Sequence, residues 1–234
     1  MRIILQPVFV LHSRPFRDTS LLLDLLTHHH GRIHVLARNA RGLRSRFKGL
    51  LQPFVPFLAS WSGKTELMYL NQVEANGLPY YLSGVALISG FYLNELLVRL
   101  LHREDAHPAI YTAYQTALSH LARGDNQENL LRLFEKQLLF ELGYGVQLDK
   151  DATGVPIIAE QLYQYQAQHG FVKTFRAISE ATVFQGKNLL ALHYEELRHA
   201  DDLQAAKRLM RLLLIPLLGD KPIKSRELFI KIEN

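Results

Sequence analysis

Cysteine is absent from this chain of 234 residues. That excludes disulfides, thiolate nucleophiles and structural zinc of the usual cysteine-ligated kind, and it fits a reducing compartment, so the expected location is the cytoplasm. Long apolar runs are also missing. The longest, Leu209 to Leu218, is broken by Arg211 and Pro216 and falls short of the roughly 18 residues that cross a bilayer. The first apolar stretch, Ile3 to Leu11, contains Gln6 and Pro7 and has no small-residue cleavage site behind it, so it does not read as a signal peptide. Hydrophobic residues make up 48% and charged residues 21% of the chain, ordinary values that argue against disorder and against a membrane-embedded body. The length suits two packed domains.

Acidic residues are missing from one long segment. Between Asp24 and Glu66 there is none, while Arg32, Arg38, Arg41, Arg44, Arg46, Lys48 and Lys64 all fall there. The net charge of +5 is a weak pointer to anionic partners by itself. Its concentration in one acid-free stretch is a stronger one. Arginine outnumbers lysine, which suits bidentate phosphate contacts and stacking on bases. A solvated basic loop is the bland alternative. Single-strand binders also need planar surfaces. Phe16, Phe47, Phe54, Phe57, Trp61 and Tyr69 are available, and most read as barrel core. Phe47, flanked by Arg46 and Lys48, is the best candidate for a base-stacking face.

The first part of the chain reads as five short strands: Ile3 to Leu11, Leu21 to Leu26, Ile33 to Ala37, Phe54 to Trp61 and Leu67 to Val73. Gly31, Gly49 with Pro53, and Ser62-Gly63 punctuate them. In the third, Ile33, Val35 and Ala37 alternate with Arg32, His34 and Leu36, one face apolar and the other partly cationic. This predicts an OB-type five-stranded barrel over residues 1–79. After Pro79 the period changes to about 3.6. Helices are predicted at Ser89 to Leu101, Pro108 to Arg123, Asn126 to Leu142 and Asp201 to Leu218, with stripes such as Leu131, Phe134, Leu138 and Leu142. Gly124 and Gly143 are placed as C-terminal stops, and Asp201 or Asp202 as an N-cap. The fold class is therefore α+β: a barrel, then a mainly helical domain over 80–234 with a small irregular or hairpin insertion at about 145–184.

No catalytic motif is evident. Gly63-Lys64-Thr65 lacks the glycine a phosphate loop needs five residues earlier, where Leu58 stands, and no helix pattern follows. His28, His29 and His30 with His34 have no HExxH pattern or nearby carboxylate partner and read as a solvated turn. Gly143-Tyr144-Gly145 is a helix stop, not a dinucleotide fingerprint. No local motif supports a triad or paired carboxylates. A metal-dependent nucleic-acid enzyme would need clustered carboxylates, and Asp149, Asp151 and Asp201-Asp202 lack a convincing partner. A protein-binding adaptor without direct DNA contact is the other alternative. A second basic set, Lys207, Arg208 and Arg211 followed by Lys221, Lys224 and Arg226, would either hold an acidic peptide with a hydrophobic end or solvate a helix face.

The residues also carry a resemblance. Phe9-Val10-Leu11, Arg14-Pro15-Phe16, Thr19-Ser20, Gly31-Arg32, Ala37-Arg38 with Ala40-Arg41, and Leu50-Leu51-Gln52-Pro53-Phe54 resemble the N-terminal barrel of the RecO family. Tyr92-Leu93-Asn94-Glu95-Leu96-Leu97, Leu131-Arg132 with Phe134-Glu135, Leu142-Gly143-Tyr144-Gly145, and Gly219 to Phe229 resemble its helical part. The match runs in order along nearly the whole chain. It departs in one place: many members carry a four-cysteine zinc element just after the Leu-Gly-Tyr segment, where this chain has Asp149, Asp151, Thr153 and Gly154. It is similar to the zinc-less branch, and no cofactor is expected.

The resemblance implies a DNA repair and recombination mediator, not an enzyme. Such a protein binds single- and double-stranded DNA, anneals complementary strands, associates with RecR and promotes RecA loading on DNA coated with single-strand binding protein (SSB). The nucleic-acid-binding residues would be Arg32, Arg38, Arg41, Arg44, Arg46, Phe47 and Lys48. The resemblance further implies capture of the acidic, Phe-ending SSB tail by the helical part. Arg132 falls in a matching motif, and Lys207, Arg208 and Arg211 are candidates by charge.

Overall fold

In a computed structural model, residues 2–42, 45–47, 49–63, 66–176, 179 and 181–230 are described. Five strands close into a barrel: β1 (Arg2–Phe16), β2 (Ser20–Thr27), β3 (Arg32–Ala37), β4 (Phe57–Ser62) and β5 (Leu67–Ala75), in the order β1-β2-β3-β5-β4. All contacts around the barrel are antiparallel except the parallel closure of β3 on β5. The two-residue period has its expected consequence. Val8, Val10, Leu23, Leu25, Ile33, Val35, Ala37, Phe57, Ala59 and Trp61 share one buried core, each large side chain contributing about 1.5–3 kcal/mol. Closure also removes the free strand edges on which sheets aggregate.

The helices are α1 (Gly84–Leu100), α2 (Pro108–Arg123), α3 (Gln127–Glu141), α4 (Gly186–His193), α5 (Ala200–Leu218) and α6 (Lys224–Ile230). Between α3 and α4 lies a three-stranded sheet, β7-β6-β8, of β6 (Leu162–Gln166), β7 (Gly170–Thr174) and β8 (Val183–Gln185). The barrel followed by helices agrees with the predicted class. α1 begins five residues before its predicted start, and α4 and α6 are additions too short for their period to stand out. Gly124 ends α2 with φ +80°, as its predicted stop requires. The predicted N-cap of α5 is corrected: His199 caps the helix, and Asp202 in the first turn accepts from the His199 backbone N–H at 3.1 Å.

The chain divides into two compact units, one of residues 1–125 with 221–234 and the other of residues 126–220. In the first, α1 and α2 cover part of the barrel's outer face, at β1. Phe9, fully buried, packs its ring 5.4 Å from Tyr111 and 5.2 Å from Tyr114 of α2. Asn94 of α1 donates to the Leu11 carbonyl at 3.0 Å and accepts from the Tyr114 hydroxyl at 2.6 Å, which satisfies polar groups that would be costly if left unpaired. Tyr114 is held protonated by its burial. In the second unit, α5 packs against α3 and α4.

Three histidines of the barrel unit hold depressed pKa values. Burial is the first cause for His28, His30 and His34. The neighbouring His29 adds to it for the first two, while at His34 the pull of Asp24 is opposed by Arg103 and Arg32. The unfolded chain therefore binds more protons than the folded one once the pH falls below the ordinary imidazole value of 6.5, and stability falls as the pH falls through that window. Thermal unfolding followed by circular dichroism is expected to give a lower midpoint at about pH 5.5 than at about pH 7.5. Equal midpoints would remove the histidines from the stability balance.

Candidate nucleic-acid interface

The β1–β2 turn and the loop after β3 lie at one end of the barrel. Register places Phe16 opposite Ser20 and Leu21 opposite Ala37. The Arg41 backbone N–H donates to the Thr19 carbonyl at 2.8 Å, and the Thr19 hydroxyl donates to Asn39 Oδ1 at 3.0 Å. Asn39 sits at φ +56°, a left-handed conformation that asparagine tolerates better than most residues. The loop is thereby tied to the hairpin.

Arg38, Arg41 and Arg46 are all exposed at this loop. Among the described residues none of the three forms an ion pair, so their charge faces solvent. Arg38 lies 4.4 Å above the ring of Tyr69 on β5, itself 39% exposed. That contact holds the Arg38 guanidinium over an aromatic ring at the surface, the kind of pairing beside which a nucleobase can stack. Arg46 caps Phe47 at 4.8 Å. The sequence reading missed Arg17, whose guanidinium sits 5.3 Å over Phe16. It lies before Asp24, outside the acid-free segment, and only the strand register brings it to the same end. Arg44, Lys48 and Lys64 lie outside the described residues, as does Thr65 of the rejected phosphate-loop pattern.

Two predicted contacts do not fit their positions. Phe47 is 2% exposed and belongs to the barrel core, so it offers no open face to a base. The exposed aromatic at this end is Tyr69, with Arg38 over its ring. Arg32 is committed elsewhere: Nη1 donates to Asp24 Oδ1 at 2.8 Å and Nε to the Leu101 carbonyl at 3.1 Å.

In the second unit the cations predicted to meet a peptide divide in the same way. Arg132 is 8% exposed and pairs at 3.0 Å with Glu135, which is fully buried. Arg208 donates to the Val183 carbonyl at 2.7 Å and lies 4.5 Å over the ring of Phe184. Both hold the fold. Lys207 and Arg211 are exposed on α5, and Lys207 reaches only the equally exposed Glu128, at 3.6 Å. The same unit holds a cavity of about 250 Å³ lined by Leu139, Phe140, Leu148, Met210 and Leu213, and also by Lys136 and Glu195, which pair with each other at 2.9 Å. Phe140 remains 69% exposed there, a large apolar surface of the kind that marks a binding site.

Among the described residues no group of three or more His, Cys, Asp and Glu is placed to hold a metal ion. None of their helices is long and apolar enough to cross a membrane. The histidine turn is packed rather than open, with His30 edge-on to Trp61 at 5.5 Å and His28 to Tyr111 at 5.1 Å.

Comparison with known proteins agrees with this architecture. Residues 1–78 match the family described as Recombination protein O N terminal, and residues 82–227 match Recombination protein O C terminal. The DNA repair protein RecO of Coxiella burnetii (strain RSA 493 / Nine Mile phase I) is 51% identical over 228 residues, covering 97% of this chain and 98% of that one. Its counterpart in Haemophilus influenzae (strain 86-028NP) is 46% identical over 228 residues, covering 96% and 95%. The Vibrio cholerae protein (serotype O1, strain ATCC 39541) is 45% identical over 226 residues, covering 96% and 93%. With both halves matched in order, and with identity of this level sustained along nearly its full length, the chain belongs to the RecO family.

Proposed function

We propose that this protein serves DNA repair as a recombination mediator: it binds single- and double-stranded DNA through the barrel, anneals complementary strands and, with RecR, helps to load RecA onto SSB-coated DNA. The observation that carries the reading is the set of exposed arginines Arg38, Arg41 and Arg46 at one end of the barrel, none of them in an ion pair among the described residues, with Arg38 over the Tyr69 ring. Cations without carboxylate partners bind phosphates by releasing condensed counterions, which requires no base sequence. A planar guanidinium and an aromatic ring beside them take unstacked bases. Such a surface lowers the repulsion between two strands and holds bases splayed, and pairing then runs downhill without fuel.

The second unit has what an acidic, Phe-ending tail requires. The phenyl ring enters the cavity between Leu139, Phe140, Met210 and Leu213, and the carboxylates meet Lys207 and Arg211. Ring desolvation supplies most of the affinity and the cations supply orientation.

Annealing by this route needs neither a nucleotide nor a divalent cation. Mixing the protein with two complementary, fluorescently labelled strands is expected to accelerate duplex formation equally with and without ATP, and equally in EDTA. Loss of annealing on chelation, or dependence on ATP, would overturn the mechanism.

A further inference from the structure

A second basic feature of the barrel unit lies one residue row away from the arginine loop. On the outer surface, register aligns His12 of β1 with Asp24 of β2 and His34 of β3, and Arg14 with Leu22 and Leu36. These rows form one wall of a cavity of about 240 Å³, and Val98 and Arg103 form the opposite wall. The opposite wall is fixed in place. Gly31 adopts φ +63°, and a Cβ there would fall 2.0 Å from the Asp105 carbonyl oxygen, so only glycine lets the segment after α1 lie directly on the β2–β3 turn. Glu104 N–H donates to the Arg32 carbonyl at 3.0 Å, and Arg32 Nε ties the Leu101 carbonyl from the other side.

The charges in this cavity do not cancel. Asp24 is the carboxylate among its lining residues, and it is consumed by Arg32 and by the ring of His34. Arg14 is exposed and, among the described residues, forms no ion pair. Arg103 reaches Glu66, which is 81% exposed, a surface pairing of small worth that an incoming anion can displace. His12 remains 59% exposed, with its ring 3.9 Å from Asp24. The guanidinium groups of Arg14 and Arg103 and the ring of His12 thus border a space between a rigid sheet and the end of a helix.

An anion that fits must be compact, rich in acceptors and attached at one point only, because the cavity has walls on two sides. An internal phosphodiester has to enter and leave along the strand, and it carries one charge. A terminal phosphate monoester projects from a chain end and brings about −1.5 to −2 charges on three strong acceptor oxygens. The position agrees with such a ligand: the row holding Arg14, Leu22 and Leu36 continues to Tyr69, on which Arg38 is stacked.

We propose that this cavity receives the terminal phosphate of a DNA strand whose neighbouring nucleotides lie on the Arg38 surface. The proposal rests on the barrel's binding DNA, and its test separates the two. Three oligonucleotides of one sequence, about 12 nucleotides long to match a single barrel's site size, carry an internal fluorophore and end in a 5′-phosphate, a 3′-phosphate or hydroxyls. Fluorescence anisotropy with the full chain at constant ionic strength measures each affinity. One phosphorylated strand is expected to bind about tenfold tighter than the hydroxyl-ended one, as one or two charge-assisted hydrogen bonds allow, and the arm showing it identifies the end. Arg14→Gln and Arg103→Gln should each bring that ratio close to unity. Equal affinities for all three strands, or a preference surviving both substitutions, overturn the proposal while DNA binding stands. Failure to bind any of the three overturns the DNA-binding reading beneath it.

Discussion

Replacing Arg38, Arg41 and Arg46 together by alanine is expected to flatten the salt dependence of single-strand binding by about 2 units, since each lost phosphate contact on single strands removes about 0.7 from the slope of log K against log[salt]. Between about 50 and 200 mM salt, a fourfold change, the wild type would then lose about 16-fold more affinity than the variant. Binding should weaken for every sequence alike, because guanidinium–phosphate contacts read charge and not bases. Stability should barely move: all three side chains are exposed, and surface changes of this kind stay within about 0.5 kcal/mol. Loss of affinity with an unchanged slope would show that stacking, through Arg38 and Tyr69, carries the interaction. An unchanged slope together with unchanged affinity would move the DNA site away from this end of the barrel.

The basic, exposed character of the loop was legible because cations in an acid-free segment need little context. Arg32 was not, although it lies in the same segment. The carboxylate that neutralises it, Asp24, stands on the neighbouring strand at the border of that segment, and only the register of β2 on β3 brings the two together. Phe47 failed for a related reason. Its cationic neighbours suggest a surface, but a loop has no period from which an inward direction can be read, and the ring closes the barrel core. The strands themselves were legible because alternate residues face one interior, as Ile33, Val35 and Ala37 do. The apolar cavity of the second unit had no sequence signal at all. It is assembled from α3, the segment after α3, Glu195 just past α4, and α5, and such convergence follows from packing alone.

Arg132 entered the proposed partner surface through the family resemblance, and there the largest loss of stability is expected. The stripe Leu131, Phe134 and Leu138 marks one buried face of α3. The helix is buried more widely than that stripe. Glu135, one turn on, is fully enclosed, and its charge is met by Arg132 at 3.0 Å. Arg132→Ala would leave the carboxylate without its cation in a low-dielectric interior, at a cost of about 3–5 kcal/mol. A urea titration should show a lower midpoint with an unchanged slope, the mark of altered stability in an otherwise similar fold. Tail binding measured on that single variant would confuse unfolding with lost contact. The double variant Arg132→Met with Glu135→Leu removes both charges at similar volume and should recover most of the loss. If the tail is held by the Phe140 cavity with Lys207 and Arg211, this double variant should bind an acidic, Phe-ending peptide within about threefold of the wild type, well under the 1.4 kcal/mol that a tenfold change represents. Recovered stability with tail affinity still lost would place Arg132 in direct contact with the peptide. An unchanged urea midpoint in Arg132→Ala would instead show that the pair holds nothing together.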